Sequence, residues 1–576
     1  MRHDKSITPP LKTGEVHSTL QQYSAWSTDL PTLFSTLGEK CPLTNWTEAD
    51  GEDSHGVDPD AIETWFPEDD QAVFYEPRKI DGEDVFFDIL TYRQLHDRME
   101  ACPPWKNVED VCGDSFVVAI LLPSNMMAET ALTLLSVMSA SILIGAGNSS
   151  RREGCVAAPL DPSMPAHRIL EAMDQLKCGG LVSTVDVLQK IEFWKDDIKV
   201  PGSGVVSNNN EDAVRSRVFD HLREVRVVRP SDMGIVGDVK WECFEKNTAL
   251  PEWKERHHSD GSSGRVPPLC GNSNSPSLLL RTSGTTSTPK IVPLTPRMLL
   301  YNALCISSSL QLTRDDVDCN AMPFYHIGGI ACALFSVLVS GSSVIMTGSF
   351  EPNAFLDVLV SKEDNGKRTV YPTWYYGVPT MHKSLVLVAR ARLSEGTTED
   401  YQPNKLRFIR SGAAHLANEL ALQLSDIFRT QVIPTYSMSE CMPVCSSCDP
   451  IELSSNHPID TVGCPIGPSV RIIDADENIL PRGEGAIGEL VLYGPGVLGS
   501  YLGIPQEKTH TKDGWLKTGD NGWMDKEGRV FLKGRSKEMI KRGGEQIWPN
   551  QIDDVLEKLP EIATAVAFGV PNDLWG

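Results

Sequence analysis

The sequence predicts an α/β protein built on parallel sheets, and two features of its apolar pattern support this prediction. Short, continuously apolar stretches such as 116–122 and 156–160 are typical of strands that are buried on both faces. Each is followed by a longer apolar or amphipathic stretch of helical length, at 128–137 and 167–176. Such strand–helix alternation indicates parallel strands joined by crossover helices.

The other segments are interpreted in chain order. Residues 1–75 are polar and irregular, which indicates a lead-in to the folded body. The pattern changes at 84–92, where it predicts a strand and the start of a helix. Residues 139–154 are interpreted as an insertion, either a tolerated surface insertion or an error in the gene structure. Residues 197–276 show little pattern apart from a short predicted strand at 225–228, so we expect a long, partly disordered linker.

Composition excludes several classes of function. The net charge of −24 argues against a general nucleic-acid or anionic-membrane surface, because both need an excess of Lys and Arg. No apolar stretch is long enough to span a bilayer, and no signal-peptide core follows Met1. We therefore expect a cytoplasmic protein, with a peroxisomal location as the alternative.

The 14 cysteines of such a chain are expected to be reduced thiols. Cys441, Cys445, Cys448 and Cys464 lie close together in sequence, which raises the possibility of a structural zinc site. They lack the paired Cys-x-x-Cys spacing of such sites, so reduced thiols beside a pocket remain the prediction.

The strongest local signal is a cluster of hydroxyl side chains around Gly284, between the apolar stretch 278–280 and Lys290. Backbone N–H groups and hydroxyls donate to phosphate oxygens, and a lysine adds positive charge, so the cluster predicts a polyphosphate-binding loop. It is not a Walker loop, because Pro289 precedes the lysine and Ile291 follows it. A Ser/Thr-rich surface loop is the alternative. The predicted phosphate-binding residues are Thr282, Ser283, Gly284, Thr285, Thr286, Ser287 and Lys290.

A helix is predicted directly after this loop. Thr295 is a typical N-cap residue, and Pro296 fits the first helical turn. Met298, Leu299 and Leu304 give the helix an apolar face.

The string Thr-Ser-Gly-Thr-Thr-Ser-Thr-Pro-Lys at 282–290 resembles the phosphate-loop signature of the adenylate-forming enzymes. These include acyl-CoA synthetases, luciferases and peptide-synthetase adenylation domains. The form with Ser287 resembles a branch that includes oxalyl-CoA synthetases. The resemblance extends over roughly residues 80–576, with the motifs in the family's order. It implies a large N-terminal body of mixed, mostly parallel sheets flanked by helices, a small β-rich subdomain, and a mobile C-terminal α+β subdomain.

A second block, 435–440, resembles the family's Tyr-Gly-Met-Thr-Glu segment. By that resemblance Tyr436 stacks on adenine, Ser439 donates to the α-phosphate, and Glu440 holds Mg²⁺. Mg²⁺ prefers carboxylate and phosphate oxygens, which agrees with this role. Thr435 and Ser437 belong to the same nucleotide-binding segment.

Further blocks complete the implied nucleotide site. Gly412, Ala413 and Ala414 resemble the segment whose small residues let the backbone lie flat against a ring. By resemblance Asp520 accepts both ribose hydroxyls, Arg535 contacts ribose or phosphate, and Lys537 lies at the hinge. The implied catalytic residues are Lys290, Ser439, Glu440 and Arg535.

The substrate acid is expected to contact His326, Trp374 and Met438. His326 lies in an aromatic-His-x-x-Gly segment that relatives carry beside the acid, at a point where amino-acid-activating relatives place an Asp. The difference disfavours an amino-acid substrate. A structural histidine is an equal alternative, and core packing alone would explain Trp374.

The chain departs from the family after the hinge. Only 39 residues follow Lys537, whereas the resemblance implies a subdomain of about a hundred. The family's late lysine has no candidate, because Lys558 comes too early. This predicts ATP binding with poor adenylation. The apolar stretch 564–568 is predicted as a strand without neighbours.

The sequence therefore predicts an ATP- and Mg²⁺-dependent ligase that activates a carboxylic acid as acyl-AMP and transfers it to CoA. The predicted domains are the lead-in 1–75, the AMP-binding N-terminal domain 76–536 and an incomplete C-terminal subdomain 537–576. Two alternatives stay open. One is an adenylation domain that loads the phosphopantetheine of an acyl carrier protein, and the other is a non-catalytic nucleotide-binding paralogue.

Overall fold

The computed structural model describes part of the chain. The described residues are 72–80, 83–91, 94–95, 116–139, 141–144, 151–191, 218, 222, 224–228, 241–245, 275–282, 289–360, 370–394, 406–446, 461–542, 545–556, 559, 562 and 565–570. Most of the predicted lead-in and the phosphate-loop residues Ser283, Gly284, Thr285, Thr286 and Ser287 lie outside these ranges.

The strands follow in chain order. They are β1 (Ala72–Ile80), β2 (Glu83–Thr91), β3 (Phe116–Leu121), β4 (Ser141–Ile144), β5 (Arg151–Pro159), β6 (Gly180–Ser183), β7 (Glu224–Val228), β8 (Trp241–Glu245), β9 (Leu278–Arg281), β10 (Ile291–Leu294), β11 (Val317–Asn320), β12 (Ser343–Met346), β13 (Trp374–Gly377), β14 (Phe408–Ser411), β15 (Gln431–Met438), β16 (Cys441–Ser446), β17 (Cys464–Pro465), β18 (Ser469–Ile473), β19 (Gly488–Tyr493), β20 (Leu516–Met524), β21 (Val530–Arg535), β22 (Ile540–Arg542) and β23 (Glu545–Ile547).

The helices connect these strands. They are α1 (Met127–Ser139), α2 (Ala166–Leu176), α3 (Val185–Lys190), α4 (Pro296–Ser309), a π-helix (Gly329–Phe335), α5 (Ser336–Ser340), α6 (Pro352–Val360), α7 (Pro379–Ser394), α8 (Asn418–Phe428), a 3₁₀ turn (Gln506–Lys508) and α9 (Pro549–Leu556).

Two large sheets form the body. Sheet A has the strand order β17-β16-β15-β14-β13-β11-β12-β1-β2, with parallel pairing from β15 through to β1 and antiparallel strands at both edges. Sheet B has the order β10-β9-β5-β3-β6-β7-β8, and its inner strands are parallel. Helices α1, α4 and α5 contribute buried residues to one apolar core that both sheets share. This confirms the predicted α/β class with mostly parallel sheets.

Sheet C is the separate small sheet. Its four strands, in the order β18-β19-β20-β21, are all antiparallel. Strands β22 and β23 form a two-stranded hairpin, and α9 follows. The predicted small β-rich part therefore exists, and it precedes the residues that were assigned to the C-terminal subdomain.

Three local expectations differ from the structure. The predicted insertion contains β4, which pairs antiparallel with the first half of β5, with Ser141 opposite Gly154. The predicted linker contains the expected strand β7, but also β8, which extends sheet B and was missed. Residues 565–570 join no strand, although the apolar pattern predicted one there, and Val566 and Phe568 are exposed.

The helix predicted after the phosphate loop is α4. The Thr295 hydroxyl accepts a hydrogen bond from the Met298 backbone N–H at 3.2 Å, and Pro296 occupies the first turn. Gly496 packs against this helix so closely that the Asn302 amide donates to its carbonyl oxygen at 3.1 Å. Helix α4 therefore connects the phosphate-loop hairpin to the connection between β19 and β20 of sheet C.

Candidate active site

A large cleft opens where the carboxyl ends of β13, β14 and β15 face sheet C. Ligands of open α/β sheets bind outside the carboxyl ends of parallel strands, so this is the expected position for a site. The cleft has a volume of about 2360 Å³. Among the described residues, its wall includes most of the predicted site residues: Thr282, Lys290, His326, Ala413, Ala414, Thr435, Tyr436, Ser437, Met438, Ser439, Glu440, Asp520, Arg535 and Lys537.

The phosphate-loop segment begins and ends on an antiparallel hairpin. Strands β9 and β10 pair in register from Arg281 opposite Ile291. Thr282 and Lys290 continue this pairing, since the Thr282 N–H donates to the Lys290 carbonyl at 2.9 Å. Gln175 of α2 donates to the Pro289 carbonyl at 2.7 Å and thereby holds the base of the segment. The two ends of the predicted loop are thus fixed at the cleft.

Glu440 and Lys290 meet at a tyrosine. The Glu440 side chain is nearly buried at 6% exposure, and its Oε1 accepts a hydrogen bond from the Tyr501 hydroxyl. The Lys290 ammonium lies over the face of the same tyrosine ring, 4.2 Å from its centroid. Burial and the neighbouring Glu440 carboxylate raise the pKa of Tyr501, so its hydroxyl stays a proton donor.

A second cluster joins sheet A to sheet C. The Tyr436 hydroxyl donates to Asp520 Oδ2, and Arg535 Nε donates to the other carboxylate oxygen at 3.3 Å. Asp520 and Arg535 are directly opposite on β20 and β21. Burial, followed by the Asp520 charge, raises the pKa of Tyr436, so this hydroxyl also remains protonated. These three predicted nucleotide residues, far apart in sequence, are brought together.

The segment Gly412–Ala414 follows the end of β14. A Cβ at position 412 would lie 2.8 Å from the Tyr376 hydroxyl and 2.8 Å from the Thr435 methyl, so only glycine fits. Ala413 has a φ of 67°, an unfavourable left-handed conformation for a residue with a side chain. Tyr376 and Thr435 therefore pack directly against the backbone at Gly412, and the predicted contact of this segment with a ligand ring stays a prediction.

The end of β15 and the turn after it form the middle of the cleft wall. The Thr435 hydroxyl accepts a hydrogen bond from Arg410, whose guanidinium is fully buried, at 3.1 Å. The Ser437 hydroxyl is buried and has no hydrogen-bond partner in the described part of the chain. Ser439 and Glu440 form the tight turn between β15 and β16. Lys537 lies in the exposed turn after β21.

Two of the three predicted acid-contacting residues line the cleft. His326 is exposed to it, and desolvation lowers its pKa despite the opposing charge of Asp161. Met438 lies near the end of β15. Trp374 does not line the cleft, because it is fully buried and packs against Phe408 with ring centroids 5.7 Å apart. Core packing, which was the alternative explanation, therefore accounts for Trp374.

Sequence reasoning missed three residues at this site. Tyr376, two positions after Trp374 on the same face of β13, lines the cleft instead. Arg410 lies behind Thr435, and Tyr501 contacts both Lys290 and Glu440. Both residues lie on the same face, but Tyr376 lies nearer to the carboxyl end of β13, where the cleft opens, and this position could have pointed to it. No local signal singles out Tyr501.

The described residues have neither a metal-ligand cluster nor a membrane-spanning helix. They contain no cluster of three or more His, Cys, Asp or Glu side chains that could hold a metal ion. Cys441, Cys445 and Cys464 form no disulfide within the described residues, and Cys448 lies outside the described ranges. No described helix combines the length and apolarity needed to cross a bilayer.

Comparison with known proteins agrees with this geometry. The model of the family described as AMP-binding enzyme matches residues 150–502, which include the phosphate-loop hairpin, Glu440 and Tyr501. The chain belongs to the AMP-binding enzyme family. The family was expected from the sequence motifs, and this expectation is confirmed.

Individual relatives cover part of the chain. It is 36% identical over 323 residues to the probable CoA ligase CCL9 of Humulus lupulus, and 35% identical over 322 residues to the oxalate–CoA ligase of Arabidopsis thaliana. Each alignment covers 55% of this chain and 58% or 59% of the relative, so the chain spans well under two thirds of either relative.

Similarity to solved structures concerns the fold. The ATP-bound MatB of Rhodopseudomonas palustris superposes with a TM-score of 0.63 at 21% identity, covering 89% of this chain and 85% of that one. The adenylate-forming fold is thereby shown for this chain.

Proposed function

We propose that the protein is an ATP- and Mg²⁺-dependent acid–CoA ligase of the AMP-forming type. In the first step a carboxylate oxygen attacks the α-phosphorus of ATP, which forms acyl-AMP and releases pyrophosphate. In the second, the CoA thiolate attacks the acyl carbon and AMP leaves. The CoA ligase names of the two sequence relatives support this activity, together with the side chains that meet at the cleft.

The charge of the cleft is the observation that best supports the proposal. The whole chain has 77 acidic residues against 53 Lys and Arg. Among the described residues that line the cleft, eight Lys and Arg outnumber five Asp and Glu. The local excess of cations suits a site for ATP, a carboxylate and CoA, all of which are anionic. The cations are Lys290, Arg429, Lys508, Lys517, Arg535, Lys537, Lys541 and Arg542.

The nucleotide would lie between sheets A and C. Asp520 is an ionised acceptor that suits two ribose hydroxyls, and Arg535 beside it suits ribose or phosphate. Tyr436 and the backbone at Ala413 offer flat surfaces for adenine. Lys290 and the loop that precedes it are proposed to hold the β- and γ-phosphates, and Ser439 the α-phosphate.

Glu440 is the proposed protein ligand of Mg²⁺. The ion commonly binds one or two carboxylates and completes its shell with substrate phosphates and water. The Glu440 carboxylate is nearly buried at the cleft, and one such protein ligand fits this mode. Bound Mg²⁺ would neutralise charge on the phosphates as pyrophosphate leaves.

The acid would occupy the end of the cleft lined by Met322, His326, Tyr376 and Met438. We further propose Lys537 as the hinge residue, with the N-terminal domain at 76–536 and the C-terminal subdomain after it. A cytoplasmic location is proposed on the charge and composition of the chain.

Pyrophosphate release with a panel of carboxylic acids, in the presence and absence of CoA, tests the proposal. We expect acid-dependent pyrophosphate release and CoA-dependent formation of a thioester. ATP binding without pyrophosphate release for any acid would argue against a ligase. Acid-dependent pyrophosphate release without transfer to CoA would contradict the choice of CoA as acceptor.

Two variants connect the activity to this cleft. Lys290→Ala should weaken ATP use more than acid binding, because it removes a cation from the phosphate site. Asp520→Asn should raise the KM for ATP roughly tenfold, since hydrogen bonds to charged groups contribute about 1.5–3 kcal/mol. Lys526→Ala, an exposed lysine outside the cleft wall, is the matched control for the lysine change.

A further inference from the structure

We infer that Tyr501 is a positioning residue that sets the geometry of the Mg²⁺ ligand Glu440 and of the phosphate-binding Lys290 together. The inference rests on the proposed function, because it gives these two groups their roles. Tyr501 itself is 4% exposed and comes from the connection between β19 and β20, far from both partners in sequence.

The first support is the side-chain geometry. The Tyr501 hydroxyl donates to Glu440 Oε1, and the face of its ring lies 4.2 Å from the Lys290 ammonium. In the described part of the chain, Glu440 Oε2 accepts no hydrogen bond, so one carboxylate oxygen is fixed and the other remains for a cation.

The second support is the backbone. We call residues 494–504 the strap. The Leu498 N–H donates to the Glu440 carbonyl at 2.9 Å, and the Leu502 N–H donates to the Ile291 carbonyl at 3.0 Å. The strap is therefore joined on one side to the turn that presents Glu440, and on the other to the residue after Lys290.

The strap is itself held in place. A Cβ at Gly496 would lie 2.1 Å from the Asn302 Oδ1 atom, so this strap residue lies directly against α4. Gln506 donates to the Gly499 carbonyl at 3.1 Å. The backbone around Tyr501 is therefore held in place by its own contacts, independently of the Tyr501 side chain.

The chemistry of the tyrosine explains why it suits this position. Its phenol hydroxyl is a neutral donor, so it makes a hydrogen bond to the Glu440 carboxylate without adding positive charge. A lysine or arginine there would form an ion pair and compete with Mg²⁺ for the carboxylate. The ring meanwhile offers Lys290 a cation–π contact, which leaves the three N–H donors of the ammonium largely available for phosphate.

The test separates the hydroxyl from the ring. ATP binding to the full chain is measured by calorimetry across a series of Mg²⁺ concentrations. Mg²⁺ is expected to increase the affinity for ATP. For Tyr501→Phe, the Mg²⁺ concentration that gives half of this increase should rise roughly tenfold, because one hydrogen bond to a charged group is lost. ATP affinity without Mg²⁺ should stay unchanged. Tyr501→Leu should in addition weaken Mg²⁺-free ATP binding by about two- to tenfold, through loss of the cation–π contact.

Tyr493→Phe is the control variant. Tyr493 is 58% exposed on β19, so this change should alter neither the Mg²⁺ dependence of ATP binding nor the affinity for ATP without Mg²⁺. Melting temperatures establish whether the variants fold. If Tyr501→Leu does not fold, the test rests on Tyr501→Phe, which is the smaller change. Unchanged Mg²⁺ dependence in Tyr501→Phe overturns the inference. An equal loss of ATP affinity with and without Mg²⁺ also overturns it, because a merely structural role would act that way.

Failure of the Tyr501 inference and failure of the ligase proposal give different results. If the wild type binds ATP with Mg²⁺ dependence but releases no pyrophosphate with any acid, the ligase proposal fails and the Tyr501 test still stands. If Mg²⁺ has no effect on ATP binding by the wild type, the inference is overturned, and the pyrophosphate assay decides the ligase proposal separately.

Discussion

At the scale of single residues, the cleft depends on side chains that are fixed by contacts from elsewhere in the chain. Asp520 receives hydrogen bonds from Tyr436 on sheet A and from Arg535 on sheet C. Thr435 is held by the buried Arg410 and in turn donates to the Cys445 carbonyl at 2.7 Å. Groups fixed in this way lose little conformational entropy when a ligand binds.

Gly412→Ala should destabilise the protein and disturb the acid end of the cleft. The added methyl would overlap the Tyr376 hydroxyl and the Thr435 methyl, both 2.8 Å from its position. Overpacking of this kind costs about 1–3 kcal/mol of unfolding free energy, measurable by urea denaturation. Gly485→Ala is the matched control, because nothing lies within 4 Å of a Cβ there. Equal stability of the two variants would contradict this account.

At the scale of elements, helix α4 links the phosphate-loop hairpin to sheet C. Its N-terminus follows β10 directly, and its middle contacts the connection after β19. Tyr301 donates to the Gly467 carbonyl at 2.9 Å and so adds a contact with the segment before β18. The position of this helix therefore determines the distance between Lys290 and the residues of sheet C.

Thr295→Ala should lower the unfolding free energy by about 1 kcal/mol, because it removes the N-cap acceptor of α4. The Thr295 hydroxyl accepts from the Met298 N–H at 3.2 Å, and Ala cannot replace it. Thr295→Ser retains the oxygen and should remain close to the wild type. The measurement is chemical denaturation of the three proteins side by side. If the Ser and Ala variants lost the same stability, the cap would not be the cause.

At the scale of the whole molecule, the chain combines a net charge of −24 with a cleft whose described lining has more Lys and Arg than Asp and Glu. Sheets A, B and C share one apolar core, to which sheet C contributes Leu490, Leu492 and Val530, and the cleft opens beside that core. The cleft is lined by residues of sheet A and sheet C, so the site depends on the packing of both sheets.

Buried His382 should make global stability fall on mild acidification. It is 0% exposed, and burial lowers its pKa from 6.5 to about 3. Between these values the unfolded chain binds a proton that the folded chain does not, so this contribution is complete above pH 6.5 and is lost as the pH falls. From pH 7.5 to pH 5 the loss is roughly 2 kcal/mol.

Urea denaturation at the two pH values measures this loss. His382→Gln should flatten the difference, because the titrating group is gone. His167→Gln, at an exposed histidine, should leave it unchanged. If His382→Gln kept the full pH dependence, other groups would be responsible.

Most of the described residues predicted for the nucleotide lie together at the cleft, whereas one of the predicted acid-contacting residues does not line it. Glu440, Tyr436, Asp520 and Arg535 lie in motifs whose order is specific, and the structure gathers them at one cleft. Trp374 was assigned to the pocket by its aromatic character, yet its strand directs it into the core. Trp374 and Tyr376 lie on the same face of β13, so their position along the strand distinguishes them: Trp374 is at its start and Tyr376 is nearer to the carboxyl end that meets the cleft.

The sequence by itself determined the α/β class, because local periodicity carries it, and the family, because short motifs in a fixed order carry the resemblance. The same resemblance implied the small separate sheet and predicted which residues would form the nucleotide site. Only the tertiary structure decided that β8 extends sheet B and that Tyr376 replaces Trp374 at the cleft. It alone placed Tyr501 between Lys290 and Glu440. These contacts join residues far apart in the chain, and long-range packing leaves no periodic trace in sequence.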